Sequence, residues 1–131
     1  MKTIQEKCAE FNRMFLDELP DWQSRFQFLV DMGQSAPIFD KLEFSPEDRI
    51  TGCLSTTFFK VKIIHGKLSV SGWSNSAIML GVIEMFRQLF DEVSQEDVTR
   101  GDYTISFIDE LIKNMTPSRA DAVGQIVQKI R

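Results

Sequence analysis

Apolar residues recur along this 131-residue chain with two different periods, and the change of period divides it into elements. Ile4, Cys8, Phe11 and Phe15 fall on one helix face at three- and four-residue steps. Thr3 and Glu6 form a capping box ahead of them. Pro20-Asp21 predicts the start of a second helix, with Trp22, Phe26, Leu29 and Val30 inward and Gly33 as a left-handed C-terminal cap. From Gln34 to Ser55 no period is visible, and Pro37 and Pro46 interrupt the segment. It reads as a loop pinned by Phe39, Leu42 and Phe44.

The period then changes to two. Phe59, Val61 and Ile63 alternate with Lys60 and Lys62, as in a strand with one wet face. His65-Gly66 makes a turn, and Leu68 and Val70 alternate with Ser69 and Ser71 on the return. Ser74 or Asn75 is the expected cap of a long helix carrying Met79, Val82, Ile83, Phe86, Phe90 and Val93. Ser94 opens another helical turn, and Ile105, Ile108, Leu111, Ile112 and Met115 mark a further helix. Thr116-Pro117 places a hydroxyl before a proline at the first position of the last helix. Ala120, Val123, Ile126, Val127 and Ile130 share one side of it. The fold class is α+β: a small antiparallel sheet, the hairpin with at most one more strand, packed against several helices in a single domain spanning 1–131.

Composition narrows the class of function. The hydrophobic fraction of 43% and charged fraction of 26% are ordinary for a globular chain. A net charge of −4 argues against a nucleic-acid partner, which calls for a basic stripe. No apolar run is long enough to span a bilayer. Two cysteines and no apolar leader behind Met1-Lys2-Thr3 predict a cytoplasmic protein whose thiols stay reduced.

The two thiols differ in setting. Cys8 lies within an apolar helical stripe and reads as structural. Cys53 follows Gly52, which permits a tight turn, and stands in the run Arg49-Ile50-Thr51-Gly52-Cys53-Leu54-Ser55. Small hydroxyl side chains follow it, a setting that suits a thiol that must be reached; the alternative is an ordinary exposed loop cysteine. His65, the single histidine, sits at the far end of the following strand, roughly 25 Å away at strand rise. A Cys–His nucleophile pair needs hydrogen-bond reach, which argues against a papain-like hydrolase. Cys8, Cys53 and His65 do not make up the four ligands of a zinc site, no C-x-x-C is present, and no glycine cluster forms a phosphate loop. A lone presentable thiol fits group transfer in which a partner supplies the chemistry.

These residues resemble the SufE family of sulfur-acceptor proteins, along nearly the whole chain. Asp21-Trp22-Gln23-Ser24-Arg25-Phe26, then Met32-Gly33 and Pro37, match the family's early segment, and Arg49 to Ser55 match its Gly-Cys-x-Ser signature. Gly66-Lys67-Leu68 and Gly72-x-Ser74 match its hairpin and the turn that follows. Thr116-Pro117-Ser118-Arg119 match the start of its last helix. Two places depart from the family. Trp73 and Asn75 stand where relatives commonly carry acids, and Thr56-Thr57-Phe58 stand where relatives often carry an amide and a tryptophan.

The resemblance implies a function in iron–sulfur cluster assembly. Cys53 would take persulfide sulfur from a cysteine desulfurase, stimulating it, and pass the sulfur to a cluster scaffold. The pyridoxal phosphate belongs to the desulfurase, and no bound cofactor or metal is expected here. Arg49, Gly52, Ser55 and Arg119 are the expected supporting residues, with the two arginines as candidates to favour the thiolate. Trp73, Ser74 and Asn75 are the expected partner-binding residues, and Phe58 and Trp73 are candidates for an apolar shelter around Cys53. Stand-alone turnover is not expected. Two other readings fit the same residues: an adaptor that regulates the desulfurase without carrying sulfur, and a single-cysteine redox sensor.

Overall fold

The centre of the fold is a contact between two helices that the sequence pattern does not announce. The computed structural model describes residues 3–19, 21–37, 39–52, 55–101 and 103–130. In it α2 (Trp22–Gln34) lies along α3 (Ala77–Phe90), and the two main chains touch at Gly33 and Gly81. A Cβ on Gly33 would stand 2.8 Å from the amide nitrogen of Gly81. Gly33 is therefore not a left-handed cap. The helix runs on through it to Gln34, and its missing side chain makes room for α3.

Capping sets where the N-terminal helices begin. Thr3 and Glu6 form the expected box ahead of α1 (Ile4–Arg13), with the Glu6 amide donating to Thr3 Oγ1 at 3.1 Å. Asp21 accepts from the Ser24 amide at 2.7 Å to start α2; Pro20, expected to share that role, lies outside the described residues. Ile4 and Cys8 are buried as their spacing predicts, and so is Phe15, in a π-helical turn (Met14–Glu18). Phe15 stacks on Phe107 at 5.2 Å and meets Phe28 edge-on at 5.6 Å. The buried residues of α2 are Leu29 and Met32. Trp22 does not belong to that inner face: it is 48% exposed, because the first turn of α2 carries it clear of the core with Phe26 against its edge.

β1 (Thr57–Ile64) and β2 (Lys67–Ser74) form an antiparallel pair in which Phe59 faces Gly72 and Phe58 faces Trp73. Gly72 lies inside the strand rather than at a turn. A Cβ there would meet the Ile83 side chain of α3 at 2.7 Å, so the glycine lets α3 press onto the sheet. Phe59, Leu68 and Val70 fill that face, with Phe59 packed edge-on to Phe86. Among the described residues the sheet stays two-stranded. Its flanks carry only single bridges, Arg49 to Phe58 and Lys67 to Ser94.

The strand outlasts its expected end, and α3 is capped by Ser76, not Ser74 or Asn75; the Met79 amide donates to Ser76 Oγ at 3.3 Å. The helix stops at Phe90. Glu92 adopts a left-handed φ of 65°, and Val93 runs beside β2, its carbonyl accepting from the Leu68 amide at 2.8 Å. Short helices α4 (Gln95–Arg100) and α5 (Phe107–Ile112) follow; Ile105 and Met115 lie beyond the ends of α5 and pack against the core from outside it. α6 (Pro117–Ile130) then closes the core with Ala122, Val123, Ile126 and Ile130. Ala122 takes the buried place expected of Ala120, which is only half-buried. The architecture is α+β, a hairpin packed against helices, as the sequence pattern predicts.

Between α2 and β1 the chain makes two 3-10 turns, Lys41–Glu43 and Pro46–Asp48. Leu42 does not pin this segment, being 86% exposed at the tip of its turn. The segment is held to the outer face of the sheet by Phe44, which stacks on Phe58 at 5.6 Å, and by Lys41, whose Nζ lies 5.6 Å from the Trp73 ring centre.

Candidate functional site

The loop that carries Cys53 is closed at its base by strand-like pairing. The Ile50 amide donates to the Thr57 carbonyl at 2.9 Å, and Ile50 is buried. Ile50 and Thr57 thus bracket residues 51–56, the stretch of sequence in which Cys53 stands. Cys53 and Leu54 lie outside the described residues, and the residues on either side define the site. Gly52 has a φ of +75°, which explains why glycine precedes the thiol.

Both arms of the loop are fastened. On the near arm, Gln125 of α6 grips Thr51: its Oε1 accepts from the Thr51 amide at 3.0 Å, and its Nε2 donates to the Thr51 carbonyl at 2.6 Å. The same Nε2 donates to Asp121 Oδ2 at 2.9 Å. One turn further along α6, Lys129 Nζ donates to the Glu47 carbonyl at 3.2 Å. On the far arm, Thr56 and Asn75 are joined twice. The Thr56 amide donates to Asn75 Oδ1 at 3.0 Å, and the Asn75 amide to the Thr56 carbonyl at 3.2 Å. A chain of hydroxyls, Ser55 to Thr57 at 3.1 Å and Thr57 to Ser74 at 2.9 Å, ends where Ser74 Oγ accepts from the Ser76 amide at 3.1 Å.

This geometry sorts the expected site residues. Gly52, Ser55 and Asn75 belong to the loop and its fastenings. Ser74 is buried and committed to that hydroxyl chain, so it presents nothing to a partner; a strand position read as a turn led to the opposite expectation. Trp73 is half-buried on the sheet face turned away from α3, under Lys41. Phe58 shares that face, beneath Phe44. Arg49 is exposed beside β1. Arg119 lies in the first turn of α6, its amide donating to the Thr116 cap at 3.4 Å. Neither arginine makes an ion pair among the described residues. Both guanidinium groups thus stand on elements that border the loop, with their charge uncommitted there.

Asp121, Gln125 and Thr57 are not among the residues that the sequence pattern singles out. Asp121, Gln125 and Lys129 are four residues apart, the polar stripe of α6 beside its apolar one, and that spacing was the available signal. Thr57 carried none, because a threonine at a strand's start is unremarkable until its partners are known.

The remaining candidates lie elsewhere. Cys8 is 1% exposed, and burial pushes its thiol up to about 11 despite the neighbouring Lys7 charge. It is a poor nucleophile at neutral pH. His65 is exposed in the hairpin turn, at the end of β1 opposite Thr57, about 24 Å away along an eight-residue strand. Among the described residues, no cluster of three His, Cys, Asp or Glu side chains could hold a metal ion, and no helix is long and apolar enough to cross a membrane.

The family model described as SufE, Fe-S metabolism associated domain, matches residues 12–131. The chain belongs to the SufE family. That membership connects it with iron–sulfur metabolism and with a partner in that pathway. The fold is also similar to the solution structure of a hypothetical protein from Thermus thermophilus. The TM-score is 0.68 at 18% identity, covering 95% of this chain and 93% of that one. At that identity the likeness concerns the fold, and it extends over almost the full length of this SufE-family chain.

Proposed function

We propose that this SufE-family protein is a sulfur carrier that accepts persulfide sulfur on Cys53 from a cysteine desulfurase and delivers it to an iron–sulfur cluster scaffold. The observation that carries the reading is the setting of the Gly-Cys pair: Thr51 before it and Thr56 after it are each fastened to a neighbouring element. Such a loop suits the presentation of one thiol to another protein.

The chemistry needs no resident base. The Cys53 thiolate attacks the outer sulfur of the desulfurase persulfide, forming a new S–S bond while the old one breaks. The donor cysteine leaves as a thiolate, and the transferred sulfur keeps its proton or negative charge. No oxidant or reductant is consumed, as in thiol–disulfide exchange. The pyridoxal phosphate that generates the donor persulfide belongs to the desulfurase. Transfer requires thiolate and access, and a cysteine of ordinary pKa, about 8.5, is only a few per cent ionised at neutral pH. Arg49 precedes the loop and Arg119 stands in the first turn of α6, and a positive charge brought near the thiol favours the anion.

Mass spectrometry after incubation with a desulfurase and free cysteine tests this. The expected product is one or more added sulfur atoms on the Cys53 peptide, retained in Cys8→Ala and absent in Cys53→Ser, together with loss of desulfurase stimulation in Cys53→Ser. Full stimulation by Cys53→Ser would instead identify a non-carrying adaptor. Oxidation of Cys53 by dilute peroxide, with no sulfur taken from the desulfurase, would identify a redox sensor.

A further inference from the structure

On the near arm of the thiol loop, Thr51 is gripped by one side chain of α6. Thr51, two residues before Cys53, makes no main-chain hydrogen bond to another main-chain group among the described residues. Both its amide and its carbonyl go to the Gln125 carboxamide, at 3.0 and 2.6 Å. The far arm differs, because Thr56 and Asn75 also share a main-chain bond that no substitution of a side chain removes.

The Gln125 carboxamide is saturated. Its oxygen accepts from the Thr51 amide and, at 3.3 Å, from the Thr51 hydroxyl. Its nitrogen donates to the Thr51 carbonyl and to Asp121 Oδ2. A carboxamide has two donor hydrogens and two acceptor sites, and each has a partner. The partners also fix its orientation, since an amide N–H only donates and a carboxylate only accepts. No other side chain of that length offers both roles, so glutamine here is specified by the loop rather than by the helix. Asp121 completes the arrangement by holding the nitrogen from behind, and it stands close to Gly52, 3.7 Å from where a Cβ would be.

We propose that Gln125 is the positioning residue of the thiol loop. It fastens Thr51, two residues before Cys53, to α6 and thereby governs how readily the thiol is reached, which bears on the partner cysteine if the sulfur-carrier reading above holds. Gln125 is half-buried on the helix surface, so substitutions there leave the core packing intact.

Alkylation by iodoacetamide, followed separately at Cys53 and Cys8 by mass spectrometry, tests the assignment in the full chain. Gln125→Ala removes the clamp. Gln125→Glu keeps the volume but loses the donor to Thr51 and sets a second carboxylate against Asp121. Both variants are expected to raise the Cys53 rate by about tenfold, as loss of a paired set of hydrogen bonds implies. The Cys8 rate and the melting temperature should remain those of the wild type. A Cys53 rate in both variants within about twofold of wild type, or a parallel rise at Cys8 reporting general loosening, would overturn it. Wild-type protein that takes no sulfur from a desulfurase would defeat the carrier reading, and the alkylation result would still decide the role of Gln125.

Discussion

Gly81 of α3 lies so close to Leu29 of α2 that a Cβ on the glycine would stand 1.9 Å from the Leu29 carbonyl oxygen. Backbone on both sides leaves nothing flexible to yield. Gly81→Ala must therefore push the two central helices apart, disturbing the packing of Leu29, Met79 and Val82, all fully buried. The expected cost is above about 3 kcal/mol, at the high end for overpacking and a large share of a domain's total stability. Gly124 of α6 supplies the control, since a Cβ there meets nothing within 4 Å. Gly124→Ala should stabilise by about 0.5–1 kcal/mol through helix propensity alone. Urea unfolding of the two variants measures both signs; a mild effect for Gly81→Ala would show that the helices are not in main-chain contact.

That pair also shows where the sequence stopped being legible. Stripes of apolar residues predicted α1, the hairpin and α6, because each buries one face and period follows from geometry. Cys8, His65 and, in the core of α6, Val123, Ile126 and Ile130 stand where that reasoning put them. Glycines were harder. In sequence Gly33 reads as a helix end and Gly72 as a turn, yet each lies inside its element. A glycine that frees the backbone and one that admits a neighbour look alike in sequence, and only the neighbour distinguishes them. The surroundings of the candidate site were half legible for the same reason: the turn at Gly52 is local, whereas the grip of Gln125 on Thr51 spans 74 positions.

The buried Cys8 thiol ties stability to alkaline pH. Its pKa is pushed up to about 11, from an ordinary 9.0, chiefly by burial. The folded state therefore holds this proton more tightly than the unfolded chain does. The resulting stabilisation is complete below about pH 9 and is lost as pH rises towards 11. Cys8→Ala has no proton to lose. At neutral pH it should be less stable than wild type by on the order of 1 kcal/mol, for the lost sulfur contacts. The gap should narrow as pH rises through that window, and unfolding free energies compared at several alkaline values check it. A constant gap would mean that Cys8 stays unionised in both states or is reached by water in the native one.

Trp73 and Ser74 are neighbours in β2 with opposite fates, and substituting each separates docking from folding. Ser74 links the Thr57 hydroxyl to the Ser76 amide and is buried, so Ser74→Ala leaves buried polar groups short of a partner. About 1–2 kcal/mol of stability should be lost, with no change in affinity for a desulfurase once the protein is folded. Trp73 lies on the opposite sheet face, half-buried beneath Lys41 at 5.6 Å, a contact worth about 0.5–1 kcal/mol where solvent reaches it. Its ring stands in the strand that also supplies Ser74 and leads to Asn75, which fastens the far arm of the thiol loop. A protein closing over Cys53 comes near that end of the hairpin. Trp73→Ala should therefore raise the concentration needed for half-maximal desulfurase stimulation, while the maximal stimulation and the alkylation rate of Cys53 stay near wild type. Titrations of both variants against a desulfurase, with melting curves alongside, decide the matter. If Trp73→Ala lowers the melting temperature as much as Ser74→Ala does and leaves the titration unmoved, Trp73 is part of the packing between the 3-10 segment and the sheet, and the docking face lies elsewhere around the loop.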